Sequence, residues 1–122
     1  MDDALTHRYF DRFGQEIILT AEVKRVVFAK HPEVSHFFDK VTGTLALPDL
    51  VKRSTTDPRV RLYYRFYQEV FGGKFMVVVV KSVEREFIST IYITDKVKGG
   101  EVIWQRRPTS STIGGAMSSI FQ

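Results

Sequence analysis

The hydrophobic period of this chain changes once, close to residue 60, and that change constrains the fold more than any other feature. Before it, apolar residues recur every three or four positions, as at Val23, Val26 and Val27, which is the spacing of an amphipathic helix. After it, polar and apolar residues alternate, which is typical of strands with one polar face. Helices followed by strands predict an α+β fold, with two helices packed on one face of an antiparallel sheet.

The first half of the sequence predicts two helices that meet at His31. Thr20 is a good N-cap for a helix from Ala21 to Lys30. Pro32 disfavours helical backbone in the residue before it and suits the first position of a second helix, from Pro32 to about Thr42. Gly43 is expected to end that helix. His31 therefore lies at the junction, where its side chain can point away from the core.

Glycine pairs separate the predicted strands of the second half. In chain order, the strand patterns and turns are residues 61–67, Gly72-Gly73, 75–81, 87–94, Gly99-Gly100 and 102–104. Residues 75–81 are apolar on both faces, as in a central strand. These segments predict an antiparallel meander, and a short hairpin is predicted within residues 7–19.

Length and composition limit the class of protein. The 122 residues predict one domain, 1–107, followed by an uncharged Ser/Thr-rich tail, 108–122. The absence of cysteine excludes disulfides, iron–sulfur clusters and a thiolate nucleophile, and the three histidines are too badly spaced for zinc, so no metal or cofactor is predicted. No apolar run reaches the roughly 18 residues that span a bilayer, and the acidic N-terminus does not resemble a secretory signal. A cytoplasmic protein that does not enter a membrane is expected.

Positive charge is concentrated in two segments that flank the apolar strands. The net charge is +4, but residues 52–65 carry five basic side chains against one acidic, and residues 96–107 carry four against one. A basic stripe of this kind attracts polyanions, of which nucleic acid is the usual one. The alternative interpretation is a solvated surface with a mild excess of arginine.

One set of strand residues has the chemistry to bind and cleave RNA. On alternation, the face that the helices leave open is expected to carry Arg61, Tyr63, Arg65, Lys81, Thr90 and Tyr92, with both arginine guanidinium groups in solvent. Cationic side chains hold phosphates, tyrosine rings stack on unpaired bases, and a threonine hydroxyl donates to a phosphoryl oxygen. His31, whose ordinary pKa is near 6.5, can accept the proton of a ribose 2′-hydroxyl. Such groups suffice for metal-free transesterification of RNA.

Each of these residues also has an interpretation without function. Lys81 is a solvated strand terminus in that alternative, and Thr90 and Tyr92 are common strand residues. His31 would simply cap the first helix near its negative end. No single residue decides between the two interpretations.

The order of several short motifs resembles a known family. The motifs are Ile18-Leu19-Thr20-Ala21-Glu22, Lys30-His31-Pro32-Glu33-Val34, Pro48-Asp49-Leu50-Val51 with Ser54, Leu62-Tyr63-Tyr64-Arg65, Val78-Val79-Val80-Lys81, Phe87-Ile88-Ser89-Thr90-Ile91-Tyr92 and the segment from Thr94 to Trp104. Together they resemble the phage-type branch of the barnase–EndoU–colicin–RelE-like nucleases, which are small metal-independent RNases or toxin domains. The resemblance implies two N-terminal helices packed on one face of a four-stranded antiparallel sheet. The resemblance covers roughly residues 10–104.

The resemblance implies residue roles. His31 would be the catalytic acid or base, with Lys81, Thr90 and Tyr92 as further catalytic residues. The candidate RNA-binding residues are Arg61, Tyr63, Arg65 and Lys96. RNA, with tRNA as one candidate, would be the substrate, and an antitoxin or immunity protein would be a partner. The sequence departs from the family at Val26, where relatives often have a further histidine.

Two functions are therefore expected as alternatives. The first is a small endoribonuclease or toxin-like domain that acts by 2′-hydroxyl attack and produces a 2′,3′-cyclic phosphate. The second is a catalytically inactive module that keeps the same fold and binds RNA or a protein.

Overall fold

The computed structural model describes residues 6–107 of the chain. The elements are, in order, β1 (His7–Phe10), β2 (Glu16–Leu19), α1 (Ala21–Lys30), α2 (Pro32–His36), a 3-10 turn (Phe38–Lys40), α3 (Val41–Ala46), β3 (Leu50–Arg53), β4 (Val60–Tyr67), β5 (Lys74–Ser82), β6 (Glu86–Thr94) and β7 (Glu101–Gln105). The predicted tail, residues 108–122, lies outside the described residues. In the described part, no helix is long and apolar enough to cross a bilayer.

The sheet corrects the predicted fold class. It has seven strands in the order β1-β2-β6-β5-β4-β3-β7, and it is mixed because β2 pairs with β6 in parallel. Three small helices accompany it, so the prediction of two helices on a four-stranded antiparallel sheet is wrong. The predicted hairpin of residues 7–19 joins the sheet as β1 and β2, and the added strand β3 is only four residues long, which is too short for alternation to identify it reliably.

The central strands form where their sequence pattern indicates. The strands β4, β5 and β6 pair antiparallel in chain order, and the hairpin predicted within residues 7–19 is present as β1 and β2. A β-bulge interrupts β6: Thr90 lies opposite Val79 and Ile88 opposite Val80, so Ser89 is the extra residue. The bulge turns Ile88 to the same side as Ile91, whereas simple alternation would separate them.

The first predicted helix is confirmed and the second is not. The hydroxyl of Thr20 accepts a hydrogen bond from the Val23 backbone N–H at 3.2 Å, and α1 spans the predicted residues. The second helix is broken at Phe37, whose backbone is not helical (φ −124°, ψ 23°). Phe37 packs edge-on against Phe71, and Phe38 packs edge-on against Phe28. The two consecutive phenylalanine rings therefore pack against different partners. Packing of these rings outweighs the local preference for one helix.

Gly43 lies inside α3 and does not end a helix there. A Cβ atom at this position would come within 3.1 Å of the Tyr67 hydroxyl oxygen. The glycine therefore allows α3 to approach β4 closely, and the helix continues to Ala46.

The core lies between the helices and one face of the sheet. Its buried members are Ile17, Leu19, Val27, Val34, Val41, Leu45, Val51, Tyr63, Tyr67, Val70, Met76, Val78, Val80, Ile88 and Ile91. All three helices contribute to this cluster, so we call this side of the sheet, marked by Tyr63, Val78 and Ile91, the helix-covered face. The side marked by Tyr64, Val77 and Tyr92 is called the second face.

The Thr20 cap gives a direct test of α1. We expect Thr20→Ala to lower the free energy of unfolding by about 1 kcal/mol, because a helix N–H loses its acceptor. Urea denaturation measures the change, with Thr55→Ala in the exposed β3–β4 loop as the control. Equal effects of the two substitutions would show that the cap contributes nothing specific.

Candidate functional site

The strand register divides the predicted site residues between the two faces of the sheet. Arg61 and Tyr63 lie opposite Val80 and Val78, which places them on the helix-covered face. Arg65, two residues further along β4, lies on the same face. The other strand residues of the set, Lys81, Thr90 and Tyr92, lie on the second face. The expectation that all six share one open face is therefore wrong. Alternation correctly grouped the residues of one strand, but it could not relate the faces of different strands.

Arg61 is enclosed, contrary to the expectation that its guanidinium group lies in solvent. Its side chain is only 12% exposed. It donates to the Tyr63 hydroxyl, to Ser82 Oγ, and to the side-chain oxygens of Gln15 and Glu86 at 3.0–3.3 Å. All of these partners are supplied by the protein itself, so Arg61 is already committed to a structural network.

Tyr63 and Asp11 complete this network beneath the β1–β2 turn. The Tyr63 hydroxyl donates to Asp11 Oδ2, and burial, followed by this hydrogen bond, raises the pKa of Tyr63 above its ordinary value. The other carboxylate oxygen of Asp11 accepts the backbone N–H groups of Phe13 and Gln15. The network fastens the turn to β4. Because Tyr63 is fully buried, its ring offers no surface for a base to stack on.

Arg65 and Lys96 lie in two other places. Arg65 Nη1 donates to the Leu47 carbonyl oxygen at 3.0 Å, at the end of α3. Lys96 is exposed just beyond β6, where its backbone N–H donates to Thr94 Oγ1. Neither of them adjoins the Asp11 network.

Lys81, Thr90 and Tyr92 form a diagonal row on the second face. Tyr92 lies opposite Val77 and Thr90 opposite Val79. Lys81 is four residues beyond Val77 along β5, which corresponds to about 13 Å. Its ammonium group lies 3.6 Å from Asp57 Oδ2, and Arg59 binds the same carboxylate and lowers the pKa of Asp57 to about 2. Lys81 is therefore paired at one end of the row, remote from Tyr92 at the other.

His31 lies at the Tyr92 end of this row. The two ring centroids are 6.2 Å apart, and His31 Nδ1 is 3.8 Å from Glu33 Oε2. The His31 backbone N–H caps α1 by donating to the Val27 carbonyl oxygen, whereas its side chain makes no capping hydrogen bond to α2. The imidazole is about one third exposed and is therefore accessible to a ligand. The structure brings His31 and Tyr92 together but separates both from Lys81.

Tyr64 is the residue that the sequence reasoning missed. It is fully buried on the second face, and among the described residues its hydroxyl has no hydrogen-bond partner. Burial raises the pKa of Tyr92, and the nearby Tyr64 hydroxyl raises it further. The signal was the Tyr63-Tyr64 pair, since adjacent strand residues point to opposite faces.

The arrangement combines an imidazole with two phenols. A buried polar group without a partner is costly, and such groups often bind a ligand or water that satisfies them. The imidazole of His31 is the residue type of a general base, and the Tyr92 hydroxyl is a hydrogen-bond donor, whose protonated form is further favoured because burial raises its pKa. We call His31, Tyr64 and Tyr92 the His–Tyr cluster.

Within residues 6–107, no three His, Asp or Glu side chains are grouped closely enough to hold a metal ion.

The chain matches no protein-family profile, and neither curated proteins nor solved structures show a significant match to it. The resemblance to the barnase–EndoU–colicin–RelE-like nucleases therefore depends on the motifs alone and stays a prediction.

Proposed function

We propose that this protein is a metal-independent endoribonuclease and that the His–Tyr cluster is its reaction centre. The observation that carries the proposal is the partly exposed imidazole of His31 beside the Tyr92 ring, with the buried Tyr64 hydroxyl near that of Tyr92. A phosphodiester supplies an acceptor oxygen for the Tyr92 hydroxyl. The basic segments 52–65 and 96–107 support a polyanionic substrate.

The reaction would involve two proton transfers, one from the substrate to the protein and one from the protein to the leaving group. His31 accepts the proton of the ribose 2′-hydroxyl while the 2′-oxygen attacks phosphorus. The bond from phosphorus to the 5′-oxygen of the next nucleotide breaks, and Tyr92 donates a proton to that oxygen. Tyr64 is fully buried and does not reach the substrate, so its role is to position the nearby Tyr92 hydroxyl. The proton on His31 then returns to Tyr92 through solvent, and the products are a 2′,3′-cyclic phosphate and a 5′-hydroxyl.

Lys81 and Thr90 receive a different role from the one that the resemblance implies. Because Lys81 is about 13 Å along the row from Tyr92, it cannot contact the phosphate that His31 serves. We assign Lys81 to a phosphate further along the same strand, with Thr90 between the two positions.

The test is incubation of purified protein with tRNA and with total RNA in EDTA. We expect fragments that end in 2′,3′-cyclic phosphate, which mass spectrometry identifies. His36→Ala, which removes an exposed histidine of α2, should cleave as the unaltered chain does. Intact RNA at high protein concentration would refute the proposal.

An inactive RNA-binding module is the second candidate, and the Lys81–Asp57 ion pair favours it. Lys81 pairs with Asp57 and is separated from His31. Among the described contacts, no cation is therefore directed at the His–Tyr cluster. Val26, where relatives often have histidine, also favours this candidate. Salt-dependent RNA binding without turnover would support it, and Lys81→Ala should then flatten the salt slope by about one unit.

A further inference from the structure

A cleft lies at the edge of the helix-covered face, away from the His–Tyr cluster. Its volume is about 280 Å³, and it is lined by Arg12, Leu47, Pro48, Arg65, Trp104 and Arg106. The β1–β2 turn, the end of α3, β4 and β7 each contribute to these walls. Since Trp104 pairs with Val51, and Val51 with Tyr63, the cleft opens on the face opposite to Tyr64 and Tyr92.

Three guanidinium groups line this small cleft. Arg106 binds the Asp49 carboxylate beside the cleft. Among residues 6–107, Arg12 and Arg65 have no carboxylate within 4 Å, and Arg65 satisfies one N–H on the Leu47 carbonyl. Guanidinium groups without a directly paired carboxylate, as at Arg12 and Arg65, favour an anion, and phosphate or carboxylate fits their planar fork.

The cleft also presents a flat aromatic surface. The Arg12 guanidinium carbon lies 4.6 Å from the centre of the Trp104 ring, which makes a stacked cation–π pair. The exposed Leu47 adds apolar surface beside this stack. Nucleobases stack on aromatic rings and on arginine planes alike.

We propose that this cleft binds a nucleotide, with the base on the Arg12–Trp104 stack and the phosphate between Arg65 and Arg106. A single nucleotide fits the volume, which is near the lower limit of about 300 Å³ for small-molecule sites. The nucleotide is either free or part of a single-stranded RNA. The inference does not depend on the proposed nuclease activity, since the cleft and the His–Tyr cluster share no residue.

Trp104 is the only tryptophan of the chain, so its fluorescence reports on this cleft directly. We expect AMP and UMP to change the emission saturably, and uridine and inorganic phosphate to bind at least tenfold more weakly, because each lacks one half of the ligand. A short single-stranded oligonucleotide tests the source: tighter binding than AMP assigns the site to RNA, and equal or weaker binding assigns it to a free nucleotide.

For the variants, affinity for AMP is measured by calorimetry and not by fluorescence, because a substitution of Arg12 itself changes the environment of the Trp104 indole. We expect Arg65→Gln and Arg12→Gln to weaken binding about tenfold or more through the loss of charged contacts. Arg25→Gln, on the exposed side of α1, should bind normally, and thermal melts verify that each variant is folded. No saturable signal with any nucleotide, or equal affinity for AMP and inorganic phosphate, would overturn the proposal.

Discussion

His31→Ala is expected to cleave RNA about 10²- to 10⁴-fold more slowly than the unaltered chain, which is the usual contribution of general acid–base catalysis. The substitution removes the only imidazole that contacts Tyr92. Folding should change little, because a partly exposed residue at a helix junction fills no core volume. Rates of tRNA cleavage in EDTA and urea denaturation, both on the same purified variant, measure the two effects.

The matched control and the contrary outcome are both clear. His36→Ala removes a histidine from the neighbouring helix and should change neither rate nor stability appreciably. If His31 only caps α1, its replacement should cost about 1 kcal/mol or less of stability and leave cleavage intact. A destabilised but fully active His31→Ala protein would therefore remove the catalytic assignment. In a bacterial host, toxicity of the unaltered chain and tolerance of His31→Ala would support the toxin hypothesis.

Asp11→Ala is expected to lower the free energy of unfolding by about 3–5 kcal/mol, the usual cost of removing one partner from a buried charged network. The Asp11 side chain has no exposure to solvent. Its loss leaves the Phe13 and Gln15 backbone N–H groups and the Tyr63 hydroxyl without their acceptor. It also removes one of the two carboxylates that the described residues place near the Arg61 guanidinium group, the other being that of Glu86. Urea denaturation followed by tryptophan fluorescence and circular dichroism measures the change.

Asp39→Ala provides the control for this measurement. The Asp39 side chain is 79% exposed, and its ion pair with Lys40 is long at 3.9 Å. Its removal should therefore change stability by no more than about 0.5 kcal/mol. A loss of less than about 1 kcal/mol for Asp11→Ala would show that the network does not fasten the turn. RNA binding unchanged in a folded Tyr63→Phe variant would further separate this network from the proposed site.

For the polar side chains of β4, the sequence pattern predicted the wrong face of the sheet. Alternation correctly gives Arg61, Tyr63 and Arg65 a common face. Tyr63 is nevertheless buried on the face that receives the helices, where Asp11, 52 residues earlier in the chain, offers a buried carboxylate to its hydroxyl. A polar pattern predicts solvent exposure because burial of polar groups is costly, and it fails where a distant partner satisfies them.

At the candidate site, the position of His31 was predicted from the sequence, whereas Tyr64 was not identified. The His-Pro sequence identified a helix junction, and the structure has α1 and α2 meeting there. The contact of His31 with Tyr92 was outside the reach of the sequence, since it depends on how the helices cross the edge of the sheet. Tyr64 was passed over because its buried, unpartnered hydroxyl has no signature in a pattern of alternation.

By itself, the sequence determined the features that local physics controls. Thr20, Pro32 and the glycine pairs specify α1, the start of α2 and the turns between strands through capping, fixed φ angles and left-handed backbone. The tertiary structure alone decided the parallel pairing of β2 with β6, the bulge at Ser89 and the break at Phe37. Those features depend on contacts between residues far apart in the chain, whose energies exceed local preferences and leave no periodic trace in the sequence.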